Sequence, residues 1–564
     1  MHDVIVLGSG LAGSLTATIL ARHGHDVLML EKGSHPRMAI GESLLPTTAM
    51  WFWILGQKHG IPEITTLSNL ESIYKNIAPR CGAKRGFGYI YHQEDQSLVD
   101  PDNASNFISP LLATTRESQF YRQDTDEFMV RAAQTYGVTY RDQTTVVDVA
   151  IDEDEARVHL ADGTVVKGRL LIDATGRNSI LAEKFGLRES PPRQRHASRT
   201  IFAHLRGVRA FDEVAPEVCR RRRSATWSEG TLHHLFDRGW FWVIPFNNHQ
   251  QSKNDIVSVG LTLDANVHPK PADMTPEEEF WQFVRRFPVV ERQLRGACAV
   301  RGFVGTGRLQ YSSSRCTGDR YILLHHAYGF LDPLFSRGLW RTLEALDSVV
   351  DRVLPALRSD TLDAAQFEYI ERMQASMLDD NDQLIYNAFR SLRSGDTWAA
   401  FIKVWFADEL LMTLMTLSAM LKYVGSGDAS SFDMLLGEPR PCMEAPYAAD
   451  LQIFLDTMEE QLDRFEAGTI DSGDVYRRVC QMLSAAKSLP QNLVDWSVRK
   501  EFGLDLVPPR LLRLLWWGRV KAPHAIRRQV FDFSIRTLAN LQLRAAVYPQ
   551  SLARDVLGNV VNQR

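Results

Sequence analysis

The 564-residue chain lacks several things, and each absence narrows what it can be. It has only six cysteines, at 81, 219, 298, 316, 442 and 480, none in C-x-x-C spacing; that excludes zinc ribbons and disulfide scaffolds, suits a reducing compartment and suggests no metal site. It lacks an excess of either charge sign: 64 basic residues stand against 68 acidic ones, so there is no general phosphate-binding surface and no nucleic-acid partner is expected. It lacks a long apolar run. The strongest candidate, Leu410 to Leu421, carries Thr413, Thr416 and Ser418 between Glu409 and Lys422 and falls short of the roughly 18 apolar residues that spanning requires, so stable membrane insertion is not expected. Repeats and low-complexity segments are also missing. What remains, 45% hydrophobic and 23% charged, is a globular composition, with length for three to four domains at about 150 residues each. Met1-His2-Asp3 leads directly into Val4-Ile5-Val6-Leu7, expected as a buried strand and not a leader, and the protein reads as cytoplasmic.

The periodicity changes along the chain. Residues 1–200 alternate apolar runs with helical patterns: a strand Val4–Leu7, a helix Gly13–Arg22, a strand Val27–Leu30, and Leu170-Leu171-Ile172 ending in Asp173-Ala174-Thr175-Gly176. Residues 201–310 are strand-rich, an antiparallel sheet inserted into the first domain. Residues 311–355 return to it, with a buried strand at Tyr321–Leu324 and a helix at Gly338–Leu354. Residues 356–564 read as a helical extension, with helices at Leu362–Arg390 and Leu451–Ser488. The expected fold is therefore α/β: a discontinuous Rossmann-like domain, an inserted antiparallel β-sheet region for substrate, and a C-terminal helical domain.

Gly8-Ser9-Gly10-Leu11-Ala12-Gly13 follows an apolar strand and opens a helix, and a second strand ends in Glu31, 18 residues beyond Gly13. The glycines at 8, 10 and 13 permit a tight turn and close approach of a pyrophosphate to a helix N-terminus, and the Glu31 carboxylate suits ribose hydroxyls. Glu31 disfavours a 2′-phosphate, leaving FAD or NAD. Pro36-Arg37 followed by Gly41-Glu42-Ser43-Leu44-Leu45-Pro46 resembles the loop after the second strand of FAD enzymes in the monooxygenase, reductase and halogenase superfamily. Arg122, in Arg122-Gln123-Asp124-Thr125-Asp126, and the Asp173-Ala174-Thr175-Gly176 turn match two further positions of those flavoproteins.

Trp240-Phe241-Trp242-Val243-Ile244-Pro245 then matches the W-x-W-x-I-P signature of flavin-dependent halogenases. Gly329 to Leu339, with Asp332-Pro333 at its centre, Pro245-Phe246-Asn247-Asn248-His249 and Asn381-Asp382-Gln383-Leu384 resemble the phenol and polyketide branch, which includes the halogenases of chlortetracycline and chlorinated phloroglucinol biosynthesis. The similarity spans roughly residues 1–400. It implies that Trp240 and Trp242 crowd the space beside the flavin and exclude the organic substrate from it. Asp332 followed by Pro333 reads as a cap and first residue of the helix running to Leu354, with N–H groups near Arg337 and Gly338 that can hold an anion; by resemblance that anion is chloride beside the flavin.

On composition alone Lys84, in Cys81-Gly82-Ala83-Lys84-Arg85-Gly86-Phe87, is a solvated surface residue; the resemblance makes it the catalytic lysine. Strand alternation puts Phe87, Tyr89 and Tyr91 on one face and Lys84 on the other with Gly86 and Gly88, leaving open space beside the amine unless a glycine bulge breaks the parity. The implied activity uses FADH2, O2 and chloride or bromide: a flavin hydroperoxide oxidises halide to hypohalous acid, which Lys84 delivers to a small electron-rich phenolic aromatic. A separate flavin reductase is the expected transient partner. Two departures qualify this. Phe335 stands where tryptophan halogenases carry a glutamate, and His326 stands where related flavoproteins commonly have an aspartate. His92 is a possible base for a phenol, although a lone histidine is more often structural. A single-component aromatic hydroxylase and a non-catalytic flavoprotein are the alternatives. Arg220 to Arg223 reads as a solvated loop. The stretch Asp505–Tyr548, with eight basic and two acidic residues, reads as helices packed on the core with a basic outer face.

Overall fold

The structure, a computed structural model, describes residues 1–108, 117–219, 226–436, 447–494, 496 and 508–537. The four-arginine run and the end of the basic C-terminal stretch lie outside the described residues.

The chain starts with β1 (His2–Leu7), α1 (Leu11–Arg22) and β2 (Val27–Leu30). Gly8 takes φ +91° in the turn after β1, and a Cβ on Gly13 would sit 2.0 Å from the Gly8 carbonyl oxygen, so only glycine permits so close an approach of α1 to the strand end. After α2 (Pro46–His59) come β3 (Gly82–Lys84), β4 (Gly86–Tyr91), β5 (Ala104–Ile108) and β6 (Glu117–Gln119). Then follow α3 (Arg122–Thr135), β7 (Thr139–Arg141), β8 (Val146–Ile151), β9 (Ala156–Leu160) and β10 (Val165–Asp173). The first sheet is built on β1, which lies parallel between β10 and β2; β7 extends it beyond β2, while β9 and β8 turn back antiparallel from the start of β10.

The second sheet contains β11 (Ser198–Arg206), β12 (Gly230–Phe236), β13 (Gly239–Pro245) and β14 (Ile256–Asp264), antiparallel in the order β11-β14-β13-β12. It also takes in β4, parallel to β12 with Phe87 opposite Thr231, and β5 beyond it. Its strands thus come from both sides of the expected boundary at residue 200. One face packs Ile90, Phe241 and Val243 against Phe280, Val284 and Val290 of two covering helices. The other face, with Phe87, Tyr89, Tyr91, Trp240 and Trp242, belongs to the large core shared with the first sheet and the C-terminal helices.

The chain returns to the first sheet with β15 (Tyr321–Leu323), parallel to β10, and then runs through α4 (Arg337–Ser359), α5 (Glu368–Ser391) and α6 (Gly395–Ser426). The helix expected from Pro333 begins four residues later. Asp332 turns its carboxylate onto the N–H of Leu334, the Ser336 N–H closes back on the Pro333 carbonyl, and Ser336 sits at φ +54°, so residues 332–336 form a separate turn. A 3₁₀ turn, Ala364–Phe367, takes the start of the helix expected from Leu362, and the Leu451–Ser488 pattern divides into α7 (Ala448–Glu466) and α8 (Ser472–Ala485), with Asp471 capping the second. Near the end of the described chain, α9 (Pro508–Trp516) buries Leu514, while Leu512 and Trp516 are exposed beside Arg513; its outer face is apolar as well as basic.

α6 corrects the reading of the apolar run. The helix is 32 residues long and, by length and composition, apolar enough to cross a membrane, because Trp398 to Ala407 extends the run upstream of Leu410. Its most apolar window is 83% buried within the protein, and Trp405 packs edge-on against Phe87, Tyr89 and Phe107 of the second sheet. It covers the sheet as a core helix does.

Gly260 on β14 leaves the space that the Trp242 indole fills: a Cβ there would stand 2.1 Å from the ring. Gly260→Ala is expected to destabilise the fold by about 1–3 kcal/mol through overpacking. Thermal or denaturant unfolding checks this.

Candidate active site

Directly after β2, Glu31 receives the backbone N–H and hydroxyl of Ser9, in the turn after β1, through Oε2, both at 3.0 Å, and the N–H of Gly33 through Oε1 at 3.0 Å. Burial pushes its carboxyl up, but these N–H groups and Arg37, 3.5 Å away, outweigh that and hold it below the usual carboxylate range. Arg122, at the start of α3, forms a two-pronged pair with Asp126 and donates from Nη1 to the carbonyls of Ile40 and Gly41, at 2.6 and 3.1 Å. That clamp fixes the loop in which Gly41 adopts φ +97°. Glu42 is buried, with Oε1 2.7 Å from Nε2 of His204 on β11.

Ser43, next in that loop, joins three elements. Lys84 Nζ donates to its Oγ at 2.6 Å, Ser336 Oγ donates at 2.9 Å, and Thr231 Oγ1 lies 2.7 Å away. Thr231 gives its own proton to Gln119 Oε1, so the Ser43 proton goes to Thr231 and both Ser43 lone pairs accept. The hydroxyl is saturated.

Lys84 is 1% exposed, not solvated. Burial lowers its pKa well below the ordinary lysine value, with Glu117 and Glu409 pulling the other way. Nor does it lie opposite the aromatic stripe. Arg85 separates β3 from β4, the parity slips, and Nζ stands over the Phe87 ring, 3.4 Å from its centroid. The space expected beside Gly88 is filled by Trp227, which a Cβ there would meet at 2.7 Å. The opening lies elsewhere, in a cavity of about 40 Å³ lined by Phe87, Phe107, Glu117, Trp405, Phe406 and Glu409.

The Arg337 guanidinium is not available to an anion. It is buried and ion-paired with Asp408 and Glu409 of α6, and Nη1 donates to Asn381 Oδ1 at 3.2 Å. What remains at Arg337 and Gly338 is the unpaired N–H array of the α4 N-terminus, where Ser336 makes no side-chain cap bond. The His326 ring stands against Gly338, 3.3 Å from where a Cβ would lie, and burial lowers its pKa to about 4, so it is neutral there. Asp332 accepts from Ser198 Oγ at 2.6 Å, and burial raises its pKa to about 7. Pro333 follows in the same turn. Phe335 stacks on Trp405 at 5.2 Å.

Trp240 and Trp242 are both buried on the Lys84 side of the second sheet, 5.7 Å apart, and Trp240 packs on His233, whose burial lowers its pKa to about 3. His92 is excluded as a base at this site: it is bonded at 2.8 Å to His234, which bonds Gln293, and it packs on Phe287 in the opposite core. Sequence reasoning missed Thr231, Ser336 and Glu409 as neighbours of the amine, since they lie in segments far apart in sequence. Only the Asp408-Glu409 pair left a signal, two charges inside an apolar run.

These features fit what the chain resembles. The tryptophan halogenase family matches residues 105–420, and an NAD(P)-binding Rossmann-like domain matches residues 6–44. Tetracycline 7-halogenase of Kitasatospora aureofaciens is 39% identical over 472 residues, 84% of each chain, and the monodechloroaminopyrrolnitrin halogenase PrnC of Pseudomonas fluorescens is 37% identical over 550 residues, 94% of each. Among solved structures, halogenase PltM in complex with phloroglucinol and FAD superposes with a TM-score of 0.82 at 29% identity, covering 88% of this chain and 99% of that one. With the glycine turn, the buried lysine and the paired tryptophans in one fold, the chain belongs to the flavin-dependent halogenases.

Proposed function

We propose that this enzyme is an FADH2- and O2-dependent chlorinase, able to use bromide, that acts on an electron-rich phenolic aromatic or polyketide and carries the halogen on Lys84. The observation that supports this most is the amine itself: buried, low in pKa, held by one hydrogen bond and adjoining an aromatic-lined cavity.

The residues present fit FAD. Gly8 and Gly13 leave a cradle that a Cβ would fill, and buried Arg37 Nε and His35 Nδ1 beside it have no hydrogen-bond partner. Gly8, Gly10, Gly13, Glu31, Arg37, Gly41, Glu42, Ser43 and Arg122 would hold the cofactor, with Asp332 and Pro333 along its far side. Bound in reduced form, FAD supplies with oxygen and halide the hypohalous acid. The N–H groups at Arg337 and Gly338 hold chloride. Trp240 and Trp242 keep the organic substrate out of that end. At Lys84 the nitrogen lone pair takes chlorine from HOCl: the N–Cl bond forms, the O–Cl bond breaks, and the N–H proton leaves with hydroxide as water. The chloramine then passes chlorine to the ring, and the displaced ring proton restores the amine. The free thiols of Cys81, Cys298, Cys316 and Cys480 suit a cytoplasmic location.

No second strand-turn-helix nucleotide motif is present in the sequence; Gly302-Phe303-Val304-Gly305-Thr306-Gly307 has the wrong glycine order and no following acidic residue at suitable distance. Reduced flavin is thus expected from a separate reductase, and the purified protein alone should not consume NADH steadily. With reductase, FAD and NaCl, phenols such as resorcinol should be chlorinated and free tryptophan should not, since Phe335 replaces the family glutamate. Mass spectrometry of the products decides this.

Lys84→Ala should retain FAD binding and flavin oxidation while regioselective chlorination falls by orders of magnitude. Lys84→Arg should fail almost as badly, because a guanidinium stays protonated and offers no lone pair. Halogenated product and flavin oxidation measured in the same reaction separate the steps, and full product yield from Lys84→Ala refutes the role.

A further inference from the structure

The cavity beside Lys84 contains a carboxylate with no part in the scheme so far. Glu409, 7% exposed and set in the middle of α6, lines it together with Phe87, Phe107, Trp405 and Phe406. Its Oε1 accepts from Nε and Nη2 of Arg337, at 3.1 and 2.7 Å, which fixes the carboxylate in place. Its Oε2 is buried and has no hydrogen-bond partner. Leaving a carboxylate oxygen desolvated and unpaired is unfavourable, a cost that a hydroxyl or N–H in the cavity would remove.

We infer that Glu409 is the general base of the reaction, its Oε2 accepting the hydroxyl proton of a phenol, or the N–H proton of an amino-substituted ring, as Lys84 delivers chlorine. This rests on the functional reading above and adds to it the substrate class: an aromatic with an ionisable donor on the ring. The step balances. The substrate O–H bond breaks, its electron pair conjugates into the ring, the carbon takes chlorine from the Lys84 nitrogen, and Glu409 holds the hydroxyl proton until product leaves. With Phe335 offering no base and His92 in the other core, Glu409 and Glu117 are the titratable groups that line this cavity among the described residues. Glu117 is the cross-strand partner of Lys84, and Glu409 comes from the opposite wall.

The charged and titratable groups facing Glu409 are Arg337 and Arg341 of α4, Asp408 beside it, Glu117 on the cavity wall, and Lys84 and Tyr89 close enough to interact electrostatically with it. Burial raises its pKa to about 7, with Asp408 adding to the rise and the arginines opposing it. A base of that pKa works when deprotonated, so activity should fall as pH drops below about 7.

The test uses the full-length enzyme with FAD, a flavin reductase, NADH, NaCl and phloroglucinol, following chlorinated product and flavin oxidation from pH 6 to 9.5. Glu409→Gln should lower product at pH 7 by about 100-fold or more while flavin oxidation stays within twofold. The deficit should shrink at alkaline pH, where the phenol ionises unaided, and Glu409→Asp should recover part of the activity. A Lys84→Ala deficit should not respond to pH in this way. Product within threefold of wild type from Glu409→Gln, or a deficit constant across the pH range, overturns the inference. If Glu409→Gln loses flavin oxidation, Glu409→Asp decides: an acid limb near pH 7 in its product formation supports the inference, and pH-independent chlorination overturns it. Loss of product in Lys84→Ala but not in Glu409→Gln refutes this inference alone, whereas full product from Lys84→Ala refutes the functional reading beneath it.

Discussion

A primary amine sealed from water where two sheets meet must be given an acceptor, and the Lys84 to Ser43 hydrogen bond is the contact on which the rest of this site depends. Ser43 can hold the amine only because its single proton is directed elsewhere, to Thr231, whose own proton is committed to Gln119. The second Ser43 lone pair takes Ser336, the residue that precedes α4. One hydroxyl therefore ties the loop after the nucleotide-binding turn, the β3 lysine, the start of β12 and the start of the anion-holding helix into a common geometry. A shift in any of them is felt at the amine.

The second constraint comes from the helical region. A buried guanidinium at the first residue of α4 needs carboxylates, and α6 provides two of them from the middle of an otherwise apolar surface. The ion pairs lock α6 across the open face of the second sheet, where Trp405 seats against Phe87, Tyr89, Phe107 and Phe335. The C-terminal third is thus a wall of the site. Because Arg337 satisfies only one oxygen of Glu409, the same contact that closes the pocket leaves a desolvated acceptor inside it.

The parts legible in the sequence are those whose geometry is local. Gly8, Gly13 and Glu31 lie within one strand-turn-helix-strand unit, so spacing alone placed them together. The Phe87, Tyr89, Tyr91 stripe followed from alternation and shares one face. Lys84 could not be placed that way, because Arg85 ends one strand and β4 begins another, and alternation cannot be carried across a break. The start of α4 was misread for a related reason: Asp332-Pro333 has the chemistry of a helix start, but the carboxylate bonds within its own turn and to Ser198, 134 residues away in sequence. Glu409 was seen only as the boundary of an apolar run. Its meaning depends on Arg337, which no local pattern connects to it.

Glu409 lines the cavity, Lys84 stands over Phe87 in its wall, and burial moves the two groups in opposite directions, the amine down and the carboxyl up to about 7. Each shift favours the uncharged form, since desolvation disfavours charge on either group. The pocket therefore does not have to stabilise a fixed buried ion pair, whose desolvation often outweighs its attraction. Its proton inventory can change by one near neutral pH at small cost, with Arg337 steadying the carboxylate when it is charged. Electrophilic chlorination of a phenol asks for that combination: a nitrogen with its lone pair free to carry chlorine, and an acceptor for the proton the ring system must lose. A pocket built from a protonated lysine and a glutamate of ordinary basicity would serve poorly on both counts, because the ammonium has no lone pair and such a carboxylate holds the proton weakly.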